Sequence, residues 1–295
     1  MVIDKNVFYK RKVEDIMTDL QNYFFSRLQM SPKKDIQFND LHEILLQMGR
    51  MLPYENIDVM NGEFREISRT NIQEKLLLNK RGGLCYELNS LLYYFLDDCG
   101  FDVYRVAGTV YDLSGDKWKP DDGHVIIILK HEGQKYIIDG GFASHLPLYP
   151  VPFSDEVISS QTGKYRIRKQ DTEKGTYLLE MRKGENGETA QFLDSEPSDT
   201  WRTGYAFTLD KIDTKKVNDI QEIIVHHPES PFNKGHIICK LTNNGHISLT
   251  KRNFTNTHKG KKIKRAITEE EFQQVLTEVF DISPHKYYGE VRERG

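Results

Sequence analysis

Three residues have the types and settings for thiol chemistry: Cys85, His124 and Asp139. Cys85 follows Arg81-Gly82-Gly83-Leu84 and opens an apolar run with helical spacing, which puts its sulfur in the first turn of a helix. Unpaired N–H groups and the positive end of the helix dipole favour thiolate over thiol there. The two glycines permit a sharp turn and leave room beside the sulfur. The competing reading is a buried cysteine that fills the core, which suits Cys99 and Cys239, each inside an apolar periodic segment. His124 begins the apolar run Val125 to Leu129, and Asp139 ends Tyr136-Ile137-Ile138. If a hairpin turn centres on Glu132-Gly133, Asp139 falls opposite Ile126 and His124 becomes its diagonal neighbour on the same face. Diagonal side chains stand roughly 7–8 Å apart, within reach of an imidazole–carboxylate hydrogen bond. An odd-length turn would put the two on opposite faces. In such a set the histidine takes the thiol proton, and the aspartate fixes its tautomer and stabilises the imidazolium. A His–Asp pair that only staples the end of a sheet is the alternative.

Helices must carry the cysteine, and strands the other two. Val13, Ile16, Met17 and Leu20, then Phe24, Phe25 and Leu28, form one helical stripe. A second helix runs through Leu41, Ile44, Leu45 and Met48, with Asn39 or Asp40 as N-cap, and stops before Pro53. A third spans about Ile72 to Leu78. The fourth carries Cys85, Leu88, Leu91, Leu92, Phe95, Leu96 and Cys99, and ends at Gly100. Beyond it, Val103 to Tyr111, His124 to Leu129, Lys135 to Asp139, Tyr165 to Ile167 and Tyr177 to Met181 read as antiparallel strands. Polar segments at 183–188 and 194–199 mark a soft boundary. The last third mixes strands (Glu222 to His226, His236 to Leu241, Ile247 to Thr250) with a helix opened by the capping box Thr268-x-x-Glu271. The order predicts an α+β protein in three segments, 1–100, 101–200 and 201–295.

The bulk properties exclude several classes. With 295 residues, 38% hydrophobic and 29% charged, the chain reads as a soluble globular protein. Its net charge of −3 gives no reason to expect nucleic acid or an anionic membrane as partner. No apolar run approaches the roughly 20 residues of a membrane span. Three scattered cysteines and an N-terminus without an apolar signal region fit reduced thiols in the cytoplasm. No metal is expected: His226-His227, read as neighbours on a strand, would face opposite ways. The basic run from Lys251-Arg252 to Lys264-Arg265 reads as a solvated face before an anion site.

Taken together, the segments resemble the arylamine N-acetyltransferase family. Its Arg-Gly-Gly-x-Cys-x-Glu-x-Asn motif stands at Arg81 to Asn89. Its Pro-Phe-Glu-Asn box stands at Pro53-Tyr54-Glu55-Asn56, its Ala-Gly-x-Val strand at Ala107 to Val110, and its Asp-x-Gly-Phe-Gly at Asp139 to Ala143. Tyr54 and Ala143 depart from the family residues. His124 lies 39 positions after Cys85 and Asp139 a further 15, the family spacing. Trp201 to Phe207 and His227 to Phe232 resemble later family segments, so the likeness spans nearly the whole chain.

The resemblance implies a papain-like cysteine-enzyme core, made of an N-terminal helical bundle and an antiparallel β-barrel, under a C-terminal α/β lid. It implies a ping-pong reaction in which acetyl-CoA acylates Cys85, and an arylamine, arylhydrazine or arylhydroxylamine then takes the acetyl group. Phe142 and Gly141 would border the acceptor, and Gly123 and Ser230 the CoA. Rival readings are an acyltransferase or amide synthase with another acyl donor, a thiol hydrolase on the same core, and a non-catalytic binding protein.

Overall fold

Apolar side chains at helical spacing build the first third of the chain. Residues 17–112, 115–182 and 200–283 are described by the computed structural model; Val13, Ile16 and the polar segments at 183–188 and 194–199 lie outside them. Helix α1 (Asp19–Leu28) opens with a capping box between Thr18 and Gln21 and buries Leu20, Phe24, Phe25 and Leu28. Helix α2 (Leu41–Met51) buries Leu41, Ile44, Leu45 and Met48. A 3₁₀ turn over Phe38–Asp40 leads straight into it, so Asp40 holds the N-cap position of α2 but its side chain makes no cap hydrogen bond there. Its carboxylate instead accepts the Gln37 N–H at 2.7 Å. Strand β1 (Tyr54–Glu55), α3 (Ile57–Asn61) and α4 (Arg69–Ile72) follow, and α4 runs on as a π-helical turn over Gln73–Leu78. Helix α5 (Cys85–Asp98) is central, and Phe95 on it stacks on Phe24 with ring centroids 4.0 Å apart.

Among the described residues, nine strands follow as β2 (Asp102–Asp112), β3 (Lys117–Trp118), β4 (His124–His131), β5 (Gln134–Ile138), β6 (Val151–Pro152), β7 (Ile158–Ser160), β8 (Gly163–Thr172), β9 (Gly175–Arg182) and β10 (Arg202–Phe207). They form one antiparallel sheet in the order β6-β5-β4-β2-β10-β9-β8-β7, with β3 on β2. Because β6 also packs against β8, the sheet nearly closes into a barrel. The unbroken apolar run of β4 follows from its place. Ile126 and Ile128 point into the barrel, while Val125, Ile127 and Leu129 join the helical core around α5. A strand covered on both faces has no polar side to show.

Helix α6 (Thr214–His226) corrects the expected strand at Glu222 to His226. Asp213 caps it by accepting the Lys216 N–H, and Val217, Ile220 and Ile224 are buried along one stripe. The short run Ile223-Ile224-Val225 is the tail of that stripe, and a β-branched run this short is ambiguous by pattern. His226 therefore sits on a helix, paired with Glu222 one turn back at 3.2 Å. The last described elements are β11 (Ile238–Thr242), β12 (Gly245–Thr250), β13 (Asn253–His258), β14 (Lys261–Ala266) and α7 (Glu269–Glu278). These four strands and β1 form a second sheet in the order β1-β11-β12-β13-β14. Phe272, Val275 and Leu276 of α7 pack on it. Thus a segment before the cysteine helix contributes an edge to the C-terminal sheet. The architecture is α+β, with helices, a near-closed antiparallel barrel and a C-terminal α/β layer.

Candidate active site

Helix α5 delivers Cys85 at its first position. The preceding Leu84 has extended backbone, and its N–H donates to the Glu87 carboxylate at 2.9 Å. The glycines ahead of it act differently from the sequence expectation. Neither Gly82 nor Gly83 has positive φ, and the space beside them is taken, by the Pro53 backbone at Gly82 and by the Glu87 side chain at Gly83. Gly83 donates its N–H to the Pro53 carbonyl and accepts the Glu55 N–H, both at 3.1 Å. A Cβ on Gly82 would stand 1.9 Å from the Pro53 oxygen. The glycine pair thus lets β1 run against the loop that leads into α5.

Strands β4 and β5 deliver His124 and Asp139. Glu132 and Gly133 both have positive φ (48° and 77°), a two-residue turn whose twist matches the strands it joins. Pairing runs from His131 with Gln134 to Ile127 with Ile138. That register carries Asp139 opposite Ile126, with His124 diagonal to it on the same face. The His124 Nε2 to Asp139 Oδ2 distance is 2.8 Å, and both side chains are buried. This leaves Nδ1 as the ring nitrogen available to the Cys85 sulfur, which lines the same cavity as His124. The sulfur lies 3.6 Å from the Gly123 carbonyl oxygen.

Asp139 has three further donors. Asn89 Nδ2 at 2.8 Å and the Gly141 N–H at 2.9 Å reach Oδ1, and the Tyr205 hydroxyl at 3.0 Å reaches Oδ2. Burial works against the carboxylate charge, but His124, Asn89 and Gly141 outweigh it and hold Asp139 below its ordinary pKa. Burial would likewise push the His124 imidazole down. The charges of Asp139 and Cys85 and the hydrogen bonds to both prevail, raising it to about 10. His145, whose ring is 5.5 Å from that of Phe142, is pushed down to about 3 by burial and by His246. It stays neutral and adds no second charge beside His124.

A cavity of about 370 Å³ opens onto Cys85 and His124, walled by Tyr54, Phe142, Ile224 and Phe232 among others. That is the size of a small-molecule site. The Phe142 ring lies 5.2 Å from that of His124. Gly123 and Ser230 both line the cavity, but the Ser230 hydroxyl is engaged within the chain, donating to the Ile224 carbonyl. Gly141 approaches α5 so closely that a Cβ there would stand 2.9 Å from the Cys85 Cα. Next to the cavity, an open cleft of about 750 Å³ shares Tyr111, Lys119 and Pro120 with it and is lined by Lys117, Lys174 and His227. The basic run 251–265 borders neither. Among the described residues, no three His, Cys, Asp or Glu groups come together as metal ligands.

Sequence reasoning missed two of these partners. Asn89 could have been found, because it lies four residues after Cys85 and so on the same helix face. Tyr205 could not: its hydroxyl reaches Asp139 only because β10 pairs with β2 across the barrel.

Residues 37–286 match the N-acetyltransferase family model. Arylamine N-acetyltransferase C from Bacillus anthracis is 62% identical, with a TM-score of 0.85 over 91% of this chain and 100% of that one. An arylamine N-acetyltransferase from Bacillus cereus, described as having a Cys-His-Glu triad, is 47% identical, with a TM-score of 0.84 over 90% of this chain and 100% of that one. A probable arylamine N-acetyltransferase of Dictyostelium discoideum is 35% identical, the match covering 92% of this chain and 97% of the relative. The chain belongs to the arylamine N-acetyltransferase family.

Proposed function

We propose that this acetyltransferase moves an acetyl group from acetyl-CoA through a Cys85 thioester to an arylamine, arylhydrazine or arylhydroxylamine, with Cys85, His124 and Asp139 as catalytic residues. The observation that carries the reading is the buried His124–Asp139 pair beside Cys85 on the wall of an apolar cavity also lined by Phe142. The sulfur attacks the thioester carbonyl, a new C–S bond replaces the one to CoA, and the departing CoA sulfur takes the proton held on His124. Cys85 is then neutral. One of the two charges that raised His124 is gone, leaving Asp139 alone in support. The imidazole, having given up that proton, is neutral and can accept one from the amine as nitrogen attacks, and Cys85 leaves as thiolate.

In this reading the helical segment 1–100 supplies the nucleophile, the barrel segment 101–200 its base and orienter, and the lid segment 201–295 the outer wall. The acceptor ring lies against Phe142, with Gly141 behind it. The CoA arm passes between Gly123 and Ser230, and its phosphates lie in the open cleft among Lys117, Lys119 and Lys174. Those lysines face Glu229, Asp112 and Asp121, so phosphate binding exchanges one anion for another. The cytoplasm, which supplies CoA thioesters and reduced thiols, is the expected location.

Incubation with acetyl-CoA alone should add one acetyl mass at Cys85 and release one equivalent of CoA. A following aromatic amine should remove that mass as its amide. A Cys85 that stays unmodified while the protein hydrolyses amides would favour the thiol hydrolase. Faster loading from a longer acyl-CoA would favour another acyltransferase.

A further inference from the structure

We propose that Lys75 is a positioning residue for Cys85: acting through Glu87, it fixes the first turn of α5 and hence the place of the sulfur against His124. The inference rests on the reading of Cys85 as the nucleophile. Lys75 stands on the π-helical turn Gln73–Leu78, where the Asn79 N–H bonds back to the Glu74 carbonyl at 2.8 Å. Such turns are rare and recur at functional sites. The Lys75 Nζ lies 2.6 Å from one Glu87 oxygen and 2.7 Å from an Asp58 oxygen. The other Glu87 oxygen accepts the Leu84 N–H at 2.9 Å, so Glu87 ties the residue before Cys85 to the first turn of α5. The other Asp58 oxygen lies 2.6 Å from Arg81, which also holds Glu55 at 2.8 Å.

Charges thus alternate along Glu55, Arg81, Asp58, Lys75 and Glu87, tying β1, α3, the π turn and the glycine loop to the start of α5. The Glu87 side chain is only 8% exposed. Burial already pushes its carboxyl upward, with Lys75 opposing and Asp58 adding to the rise. Burial works against the Lys75 charge too, yet Glu87 and Asp58 hold it above the ordinary lysine range. Without Lys75, the buried Glu87 carboxylate would face the partly exposed Asp58, which keeps Arg81, with no cation of its own. Glu87 would then take up a proton or swing away, and the Leu84 N–H would lose its anionic partner.

The test compares Lys75→Met, Glu87→Gln and the double variant with wild type, in full-length protein. Two rates are measured: acetyl transfer to an aromatic amine, and alkylation of Cys85 by iodoacetamide. Lys75→Met should lower kcat and the alkylation rate by about 10- to 100-fold, the range a small misplacement of a reacting group produces. The KM for acetyl-CoA should stay within about twofold. The double variant should recover most of both rates, because a neutral carboxamide in place of the Glu87 carboxylate can still accept from Leu84 without needing a cation. Equal losses in single and double variants, or a Lys75→Met protein with unchanged rates, would overturn the proposal. If Lys75→Met melts early, the double variant decides: a restored melting temperature with rates still depressed also overturns it. Alkylation needs no acetyl-CoA, so a wild type that fails to load acetyl would sink the transfer reading while leaving this comparison intact.

Discussion

Asp139 accepts four hydrogen bonds, two on each oxygen, and that saturation decides the charge state of its neighbour. A carboxylate so held stays ionised, and His124 keeps a proton against the pull of burial. Followed by NMR, the His124 ring should remain protonated through neutral pH, with a midpoint near 10. Alkylating or acetylating Cys85 should bring that midpoint down, since one raising charge is removed; a midpoint indifferent to the state of the sulfur would contradict the relay. The folded value lies above the free value of 6.5, so this proton's stabilisation is complete below about 6.5 and is lost as pH climbs through about 10. Asp139 runs the other way: its contribution holds above 3.8 and is lost as acid reaches its lowered folded pKa. Asp139→Asn should therefore flatten the melting-temperature profile on both sides, and lower kcat by about ten-thousandfold. The remaining thiols behave differently. Burial pushes Cys99 up to about 11 and Cys239 up to about 12. Brief treatment with iodoacetamide at neutral pH should label Cys85 alone, and peptide mass mapping that finds all three labelled would refute this.

At the scale of elements, the glycines decide how closely the pieces meet. Gly82→Ala drives a Cβ into the Pro53 carbonyl, so β1 must move. The expected loss is about 2–3 kcal/mol in denaturant unfolding, as for overpacked cores. Gly141→Ala meets Cys85 Cα at 2.9 Å and should reduce kcat well beyond any loss of stability. Equal effects of the two on kcat per folded molecule would show that neither contact is special. The same elements explain what could be read in the chain. The hairpin register was legible because Glu132-Gly133 is a two-residue turn between long apolar runs, and a turn of that length fixes pairing. The start of α5 was legible because Cys85 opens its stripe. The end of α6 was not, because three β-branched residues carry the strand signal and the helix period equally well. The role of Gly82-Gly83 was hidden because the segment that crowds Gly82 and bonds to Gly83, Pro53 to Glu55, lies some thirty residues upstream, and sequence alone does not bring it near. Tyr205 was invisible for the same reason.

At the scale of the molecule, one side chain joins the helical segment to the outer wall of the cavity. Asn56, 1% exposed, donates to the Phe232 and Gly235 carbonyls and accepts the Ile237 N–H, each at 2.8 Å. Phe232 and Ile237 line the cavity, as Phe142 does. The relay itself hangs on α5, β4, β5 and β10, none of which Asn56 touches through these bonds. Wall and relay should therefore separate under mutation. Asn56→Ala strips three hydrogen bonds from a buried loop, a loss of about 3 kcal/mol at roughly 1 kcal/mol each. It should raise the KM for both acetyl-CoA and the amine by more than it lowers kcat. The amides of residues 232–237 should exchange faster, while those of β4 keep wild-type protection. A variant that loses kcat at constant KM, or whose β4 amides loosen together with the loop, would mean that wall and relay are one cooperative unit and that the fold does not divide its labour this way.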